Sequence, residues 1–123
     1  MYKLFIDSAD TDAIRKCVDT GLIDGITTNP TLIKKSGRNP IYVYKEIIDM
    51  GIEDVSMEVS GNYREMFDEA MTLTAEFNSA ATIKLPMTVE GLKVCQDLSD
   101  LGIRTNVTLI FNAAQALLAA KAG

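Results

Sequence analysis

The chain has 123 residues, 47% hydrophobic and 24% charged, and these proportions are typical of a globular protein with a buried core. Its net charge is −5 and its twelve Lys and Arg residues are scattered, so the composition argues against nucleic acid as a partner. It contains no histidine, which excludes His-dependent triads and His-ligated zinc sites. No apolar run is long enough to cross a membrane.

Five short apolar segments, each bounded by turn-forming residues, predict β-strands. In chain order, the predicted strands are residues 3–7, 25–28, 54–59, 81–85 and 103–110. A helical pattern follows each strand. The first helix is predicted to start at Ser8 or Asp10, and the other four to start after Asn39, Asn62, Thr88 and Asn112. The turn-forming pair Asn29–Pro30 and a short helical segment precede the second of these helices.

This order describes five consecutive βα units with short loops, which predicts a parallel sheet with helices on its faces. The predicted fold is α/β, a TIM (β/α)8-type barrel represented by an incomplete (βα)5 portion, with residues 1–123 forming one domain. A doubly wound sheet is the main alternative. The acidic segment Asp7 to Asp10 after the first strand has no glycine, which argues against nucleotide binding without excluding that fold.

The two cysteines, Cys17 and Cys95, are far apart and lie on the apolar stripes of predicted helices. We expect both to be small buried hydrophobic residues rather than ligands, nucleophiles or a disulfide. Reduced thiols and an N-terminus without signal-peptide features predict a cytoplasmic protein.

Side chains alternate between the two faces of a strand, so each predicted strand can be divided into two faces. Four strands have one mostly apolar face, and the division is weaker in the second strand, where Ile26 and Thr28 share a face. The opposite face carries a polar or ionisable group near the C-terminal end of every strand. Parallel strands of a barrel bring these ends together at the active site. The predicted site consists of Asp7, Thr27, Asn29, Glu58, Lys84, Asn106 and Thr108.

Each of these residues also has a purely structural interpretation. A lysine in a strand usually points to solvent at a sheet edge, but Lys84 lies in the fourth of the five strands, between apolar neighbours. Asp7 could cap the first helix, and Glu58 could be an unpaired carboxylate at the rim. Asn29 could be only a turn residue, and Thr108 only a residue that favours strands.

Taken together, one lysine, two carboxylates and two asparagines fit carbonyl chemistry. The neutral amine of Lys84 would attack a ketone, and burial favours that neutral form whereas nearby carboxylates oppose it. The resulting iminium is an electron sink, so an adjacent C–C bond can break or form. Asp7 is suitably placed to move a proton on a substrate hydroxyl, and asparagine side chains can bind sugar hydroxyls.

Four segments resemble the transaldolase family, and above all its short subfamily, which includes fructose-6-phosphate aldolase. They are FID at 5–7, GITTNPTLI at 25–33, IKLP at 83–86 and NVTLIF at 106–111. The resemblance covers essentially the whole chain. It implies a barrel whose last three βα units are absent from these residues, together with the Arg and Ser residues that bind the substrate phosphate and a C-terminal helix used in assembly.

The resemblance implies a role for each candidate. Lys84 matches the Schiff-base lysine, and Asp7 the acid/base on the C4 hydroxyl. Glu58 and Thr108 match the pair that positions a catalytic water. The supporting and substrate-binding positions are Thr27, Asn29 and Asn106. The implied reaction transfers a dihydroxyacetone unit from fructose 6-phosphate or sedoheptulose 7-phosphate to an aldose phosphate, in the pentose phosphate pathway, without a metal or organic cofactor.

Position 58 favours transfer, because transaldolases carry Glu there and fructose-6-phosphate aldolases carry Gln. The alternatives are an aldolase-type lyase, another Schiff-base barrel aldolase, or a truncated non-catalytic homologue that binds a partner chain. Activity of the 123 residues alone is doubtful on this view. The expected partners are sugar phosphates, with further copies of the chain or a complementing C-terminal fragment, and neither nucleic acid nor a membrane. A truncated product, a gene fragment and one part of a split enzyme all remain open.

Overall fold

The computed structural model describes residues 1–123 and contains five β-strands and six α-helices, with a short 3₁₀ helix at Asn78–Ala80. The strands are β1 Phe5–Asp7, β2 Gly25–Thr27, β3 Val55–Glu58, β4 Ala81–Pro86 and β5 Thr105–Thr108. The helices are α1 Thr11–Val18, α2 Pro30–Ser36, α3 Pro40–Asp49, α4 Tyr63–Phe77, α5 Val89–Asp100 and α6 Ala113–Ala122. All five predicted strands are confirmed, with ends that differ by a few residues.

The strands are arranged in the order β1-β2-β3-β4-β5, and the pairs β1–β2, β2–β3 and β4–β5 are parallel. A doubly wound sheet reverses its strand order at a switch point, whereas this order follows the sequence without reversal. The predicted partial (βα)n TIM-barrel-type fold is therefore confirmed, and the doubly wound alternative is wrong.

The chain divides into two compact units, Met1–Met57 and Glu58–Gly123, with the boundary inside β3. The first unit contains β1, β2, most of β3 and helices α1 to α3. Its core is formed by branched aliphatic side chains from both strands and helices, which suit the close packing of a helix layer on a parallel sheet. Those with no exposed surface are Ile14, Ile26, Val43, Ile47 and Val55.

The second unit contains the end of β3, β4, β5 and helices α4 to α6. Its core lies between the apolar face of β4 and the inner faces of α4 and α5, because these helices present apolar residues at helical spacing. The fully buried residues there are Val59, Met66, Ala70, Ile83, Leu85, Val94, Cys95 and Leu98.

The helices start at side chains that can accept a hydrogen bond from the first helical turn. Asp10, rather than Ser8, caps α1, since its carboxylate accepts from the amides of Asp12 and Ala13 at 3.1 Å each. Ser8 instead accepts from the Asp10 amide. The predicted starts after Asn39, Asn62, Thr88 and Asn112 are all confirmed.

The pair Asn29–Pro30 is not merely a turn, because Asn29 caps α2 and Pro30 is its first residue. Proline suits this position, where no amide hydrogen is needed within the helix. The short helical segment predicted after the second strand is thus a regular two-turn helix that begins at the strand end.

The prediction that both cysteines are buried is half wrong. Cys95 is buried in α5, but Cys17 is exposed on α1. The buried face of α1 consists of Thr11 and Ile14, and the hydroxyl of Thr11 also accepts a hydrogen bond from Arg38. Cys17 points away from that face.

Two apolar residues inside the predicted strands 3–7 and 103–110 are also exposed. Leu4 precedes the observed start of β1, and Leu109 follows β5 with 56% of its surface exposed. Leu109 has φ = 67°, a left-handed conformation that a strand cannot contain, so the strand ends at Thr108. None of the helices is both long and apolar enough to cross a bilayer.

Candidate active site

In the first unit, Asp7 and Thr27 end neighbouring strands and stand opposite each other in the β1–β2 register. Paired positions of parallel strands present their side chains on the same face. The Thr27 hydroxyl accordingly donates to Oδ1 of Asp7 at 3.0 Å. Asp7 is exposed and does not cap α1, a role taken by Asp10. Its carboxylate is therefore oriented by Thr27 and accessible to a ligand.

Asn29 lies two residues after the end of β2, and its side chain caps the start of α2. Its Oδ1 accepts from the amide of Leu32 at 2.9 Å. This bond fixes which side of the carboxamide faces the helix, so the amide NH₂ group is the part that can donate to a ligand. Asn29 thus combines the capping role with a position beside Thr27 at the strand end.

In the second unit, Lys84 and Glu58 form an ion pair with Nζ and Oε2 3.5 Å apart. Only 11% of the Lys84 side chain and 17% of the Glu58 side chain are exposed. The Lys84 carbonyl accepts from the amide of Val59 at 3.0 Å, and β4 pairs with β5 on its other side. Lys84 is therefore not an edge residue, and Glu58 is not an unpaired rim carboxylate.

Asn106 and Thr108 lie on β5 beside the same face of β4. Asn106 is in register with Lys84, and Thr108 with Pro86. Both are half-buried, and the Thr108 carbonyl accepts from the amide of Met87 at 2.9 Å. The second unit therefore groups an amine, a carboxylate, a carboxamide and a hydroxyl at the C-terminal ends of three successive strands.

These groups can exchange protons with one another. A lysine amine attacks a carbonyl group when it is neutral, and a neighbouring carboxylate can take up the proton that the amine releases. None of the His, Cys, Asp and Glu residues of the chain form a cluster of three or more that could hold a metal ion.

Comparison with known proteins identifies the chain's relatives. A model of the transaldolase/fructose-6-phosphate aldolase family matches residues 4–123. The chain belongs to this transaldolase/fructose-6-phosphate aldolase family.

Named relatives agree with the family assignment. The chain is 56% identical to a "probable transaldolase" of Clostridium kluyveri, 54% to one of Geobacter metallireducens and 49% to one of Thermodesulfovibrio yellowstonii, each over 122 residues. Each match covers 98% of this chain and 56% of the relative. The chain therefore spans little more than half the length of the curated relatives it matches.

The sequence reasoning missed the structural roles of two residues that lie close in the chain to the ends of β2 and β4. Thr28 is completely buried, and its hydroxyl donates to the carbonyl of Ser56 at 3.0 Å. The sequence signal for this bond was a threonine on the otherwise apolar face of the second predicted strand, because a buried hydroxyl needs a hydrogen-bond partner.

Gly91, in the first turn of α5, is the second missed residue. A Cβ there would overlap the carbonyl oxygen of Pro86, so only glycine lets the helix approach the end of β4 this closely. The Gly91 amide also donates to the capping hydroxyl of Thr88 at 2.9 Å. A glycine inside a helical pattern is the sequence signal for such a close approach.

Proposed function

We propose that this protein is a transaldolase-type enzyme that forms a Schiff base at Lys84. It would transfer a dihydroxyacetone unit from fructose 6-phosphate or sedoheptulose 7-phosphate to an aldose phosphate in the pentose phosphate pathway. The observation that carries the proposal is the largely buried Lys84–Glu58 pair, with Nζ and Oε2 3.5 Å apart on β4 and β3. Membership of the transaldolase/fructose-6-phosphate aldolase family and the relatives' names support it.

The first step would be attack of the neutral Lys84 amine on the ketone carbon. The carbinolamine that forms loses its hydroxyl as water, and the C=N bond of the iminium replaces it. Glu58, whose Oε2 is 3.5 Å from Nζ of Lys84, would accept the proton that the amine releases and return one to the departing hydroxyl. The hydroxyl of Thr108 would help to hold the water molecule that relays these protons.

The second step would break the C3–C4 bond of the ketose. Asp7 takes the proton of the C4 hydroxyl, the aldehyde leaves, and the electron pair of the C–C bond passes to the iminium, which becomes an enamine. Attack of the enamine on an acceptor aldehyde reverses these changes. Thr27 orients the Asp7 carboxylate, and Asn29 and Asn106 would bind the substrate hydroxyls.

An aldolase-type lyase, in which the enamine is protonated and dihydroxyacetone is released, is the second candidate. Glu58 favours transfer over this reaction, because the resembling transaldolases carry Glu at the position and the aldolases carry Gln. The Glu58 carboxylate forms an ion pair with Lys84 and can accept a proton from its amine. A neutral glutamine amide at position 58 would do neither.

The proposed partners are sugar phosphates and either further copies of the chain or a complementing C-terminal fragment, in the cytoplasm. No metal or organic cofactor is needed in this proposal, because the lysine itself supplies the electron sink. Exposed apolar residues after β5 and on α6 support association with another chain; they include Leu109, Phe111 and Leu117.

The test is to incubate the folded chain with fructose 6-phosphate or dihydroxyacetone, reduce it with borohydride, and map the adduct by mass spectrometry. A parallel sample contains the part of the Clostridium kluyveri relative that this chain does not match. We expect a reduced adduct on Lys84. Lys84→Met should abolish it, whereas Lys93→Met, which removes an exposed lysine of α5, should leave it unchanged.

The two samples separate the outcomes. An adduct in the chain alone would mean that the described residues already build a nucleophilic lysine. An adduct only with the added part would support the complementing partner. A folded chain without an adduct at Lys84 in either sample would contradict the proposal and favour a non-catalytic homologue that binds a partner chain.

A further inference from the structure

We propose that Thr28 is a positioning residue, which fixes the end of β2 through its hydroxyl so that Thr27 can hold Asp7 for the C–C bond step. The inference rests on the proposed function, and it adds a residue with no place in the reaction scheme above. Thr28 touches no reacting atom in that scheme and would act through its two neighbours in the chain.

Two hydrogen bonds attach Thr28 to β3. Its amide donates to the carbonyl of Ser56 at 3.3 Å, and its hydroxyl donates to the same oxygen at 3.0 Å. Thr28 has no exposed surface, and Ser56 is 1% exposed, so water does not compete for these bonds. The β2–β3 register contains only two residue pairs, Ile26 with Val55 and Thr27 with Ser56. The hydroxyl bond of Thr28 is therefore a substantial addition to the few hydrogen bonds between β2 and β3. It lies at the C-terminal end of β2, next to Thr27.

Close packing at position 28 does not require a hydroxyl group. Thr28 shares its face with Ile26, and valine has nearly the same shape without a polar group to desolvate. A buried hydroxyl is tolerated only because it is hydrogen-bonded, and here the bond is directed at a strand end. The bond, rather than the volume, is thus what distinguishes threonine from valine at this position.

The neighbours of Thr28 make the position of this strand end relevant to chemistry. On one side, Thr27 holds Oδ1 of Asp7 at 3.0 Å, and on the other, Asn29 accepts from the Leu32 amide at 2.9 Å. Proton transfer requires a heavy-atom separation of about 2.6–3.2 Å, so a small shift of this backbone would misalign the carboxylate. Asp7 acts in the C–C bond step of the proposed scheme, whereas Lys84 carries the Schiff base. The proposal therefore places the effect of Thr28 on C–C cleavage and not on Schiff-base formation.

The experiment compares Thr28→Val with Thr28→Ser, using the same chain and the trapping assay, with the added part of the relative if wild type requires it. Fructose 6-phosphate gives two reduced adducts on Lys84: the intact hexose phosphate before cleavage and the dihydroxyacetone unit after it. For Thr28→Val we expect the ratio of intact to cleaved adduct to rise about tenfold. Trapping of free dihydroxyacetone, which needs no cleavage, should be unchanged.

Thr28→Ser keeps the hydroxyl and loses a methyl group, so it should melt at a lower temperature than Thr28→Val but show the wild-type adduct ratio. A merely structural role predicts the opposite order, with the ratio following the loss of stability. Amide chemical shifts of Asp7 and Thr27 provide a readout independent of activity, and we expect them to move in Thr28→Val and not in Thr28→Ser.

The two proposals fail in different ways. If wild type forms no adduct on Lys84, the proposed function is wrong and Thr28 loses its role in catalysis. If wild type forms both adducts and Thr28→Val shows the wild-type ratio and amide shifts, the positioning role alone is overturned.

Discussion

Single side chains determine how closely β1 and β2 approach. Gly25 is opposite Phe5 in the strand register, and a Cβ at position 25 would overlap the Phe5 ring. Gly25 therefore makes room for an aromatic side chain rather than providing conformational freedom. The pair lies two residues before Asp7 and Thr27 on the same two strands.

Gly25→Ala should destabilise the protein by about 1–3 kcal/mol, because the ring must leave its position. Phe5→Leu, which removes the ring, should recover much of that loss in the double variant, giving a coupling energy of about 1 kcal/mol or more. Urea unfolding of the four proteins measures both values. Additive effects of the two substitutions would show that the ring does not explain the glycine.

Residue-level reasoning from the sequence located the candidate side chains but not their partners. Asp7, Glu58 and Lys84 were found because a polar residue interrupts an alternating pattern near a strand end. The bond from Thr27 to Asp7 and the Lys84–Glu58 pair depend on strand register, which pairs residues far apart in sequence. Cys17 was misplaced because the helical pattern alone does not fix which side of α1 is buried, and the buried residues are Thr11 and Ile14.

At the level of elements, one polar network ties the segment before α3 to two helices. Arg38 donates to Glu46 on α3 at 2.6 Å and to Thr11 on α1 at 3.1 Å. The pKa of Glu46 lies below its ordinary value of 4.5. The main cause is the hydrogen bond from Arg38, followed by the hydrogen bond from Thr11. The carboxylate is thus favoured in the folded state.

This network makes part of the stability pH-dependent. Because the folded pKa of Glu46 is lowered, its contribution is present above the unfolded pKa of about 4.5 and is lost as the pH falls through the folded value. Arg38→Gln should therefore cost about 0.5–1 kcal/mol at pH 7, and less at pH 3, where wild type has lost the same contribution.

Urea unfolding of wild type and Arg38→Gln at the two pH values measures this difference. Arg64→Gln is the matched control, because its ion pair with Asp68 is more exposed, at 84% and 62%, and should contribute less. If Arg38→Gln lowers the free energy of unfolding equally at pH 3 and pH 7, then packing of the arginine, and not its charge, stabilises α1 and α3.

Most elements were predictable because they depend on local chemistry. The capping residues Asn39, Asn62, Thr88 and Asn112 marked helix starts correctly, since each satisfies amides within its own first turn. The end of β5 was not predictable, because nothing in the sequence near Leu109 demands a positive φ, and leucine rarely adopts one. The fold class follows from the order of elements, whereas this boundary depends on the loop that connects β5 to α6.

At the level of the whole molecule, several large apolar side chains are exposed on α6 and just before it. In α6, Ala119 is the only buried residue, while Leu117 is 72% and Leu118 is 53% exposed. Phe111, just before the helix, is 81% exposed. Single exposed apolar residues are common, but several large ones on one short segment are typical of a surface that binds further polypeptide.

We therefore expect the isolated chain to associate in a concentration-dependent manner. Light scattering coupled to size-exclusion chromatography should give a mass above 13.4 kDa that decreases on dilution. Leu117→Glu should shift the equilibrium towards the monomer by about tenfold or more in dissociation constant, since a charge would be buried in the interface. Ala120→Glu adds the same charge at another exposed position of α6 and controls for net charge and helix propensity. A chain that stays monomeric at every concentration, or a Leu117→Glu variant that associates like wild type, would show that α6 is not the contact surface, and the complementing fragment would then be sought elsewhere on the molecule.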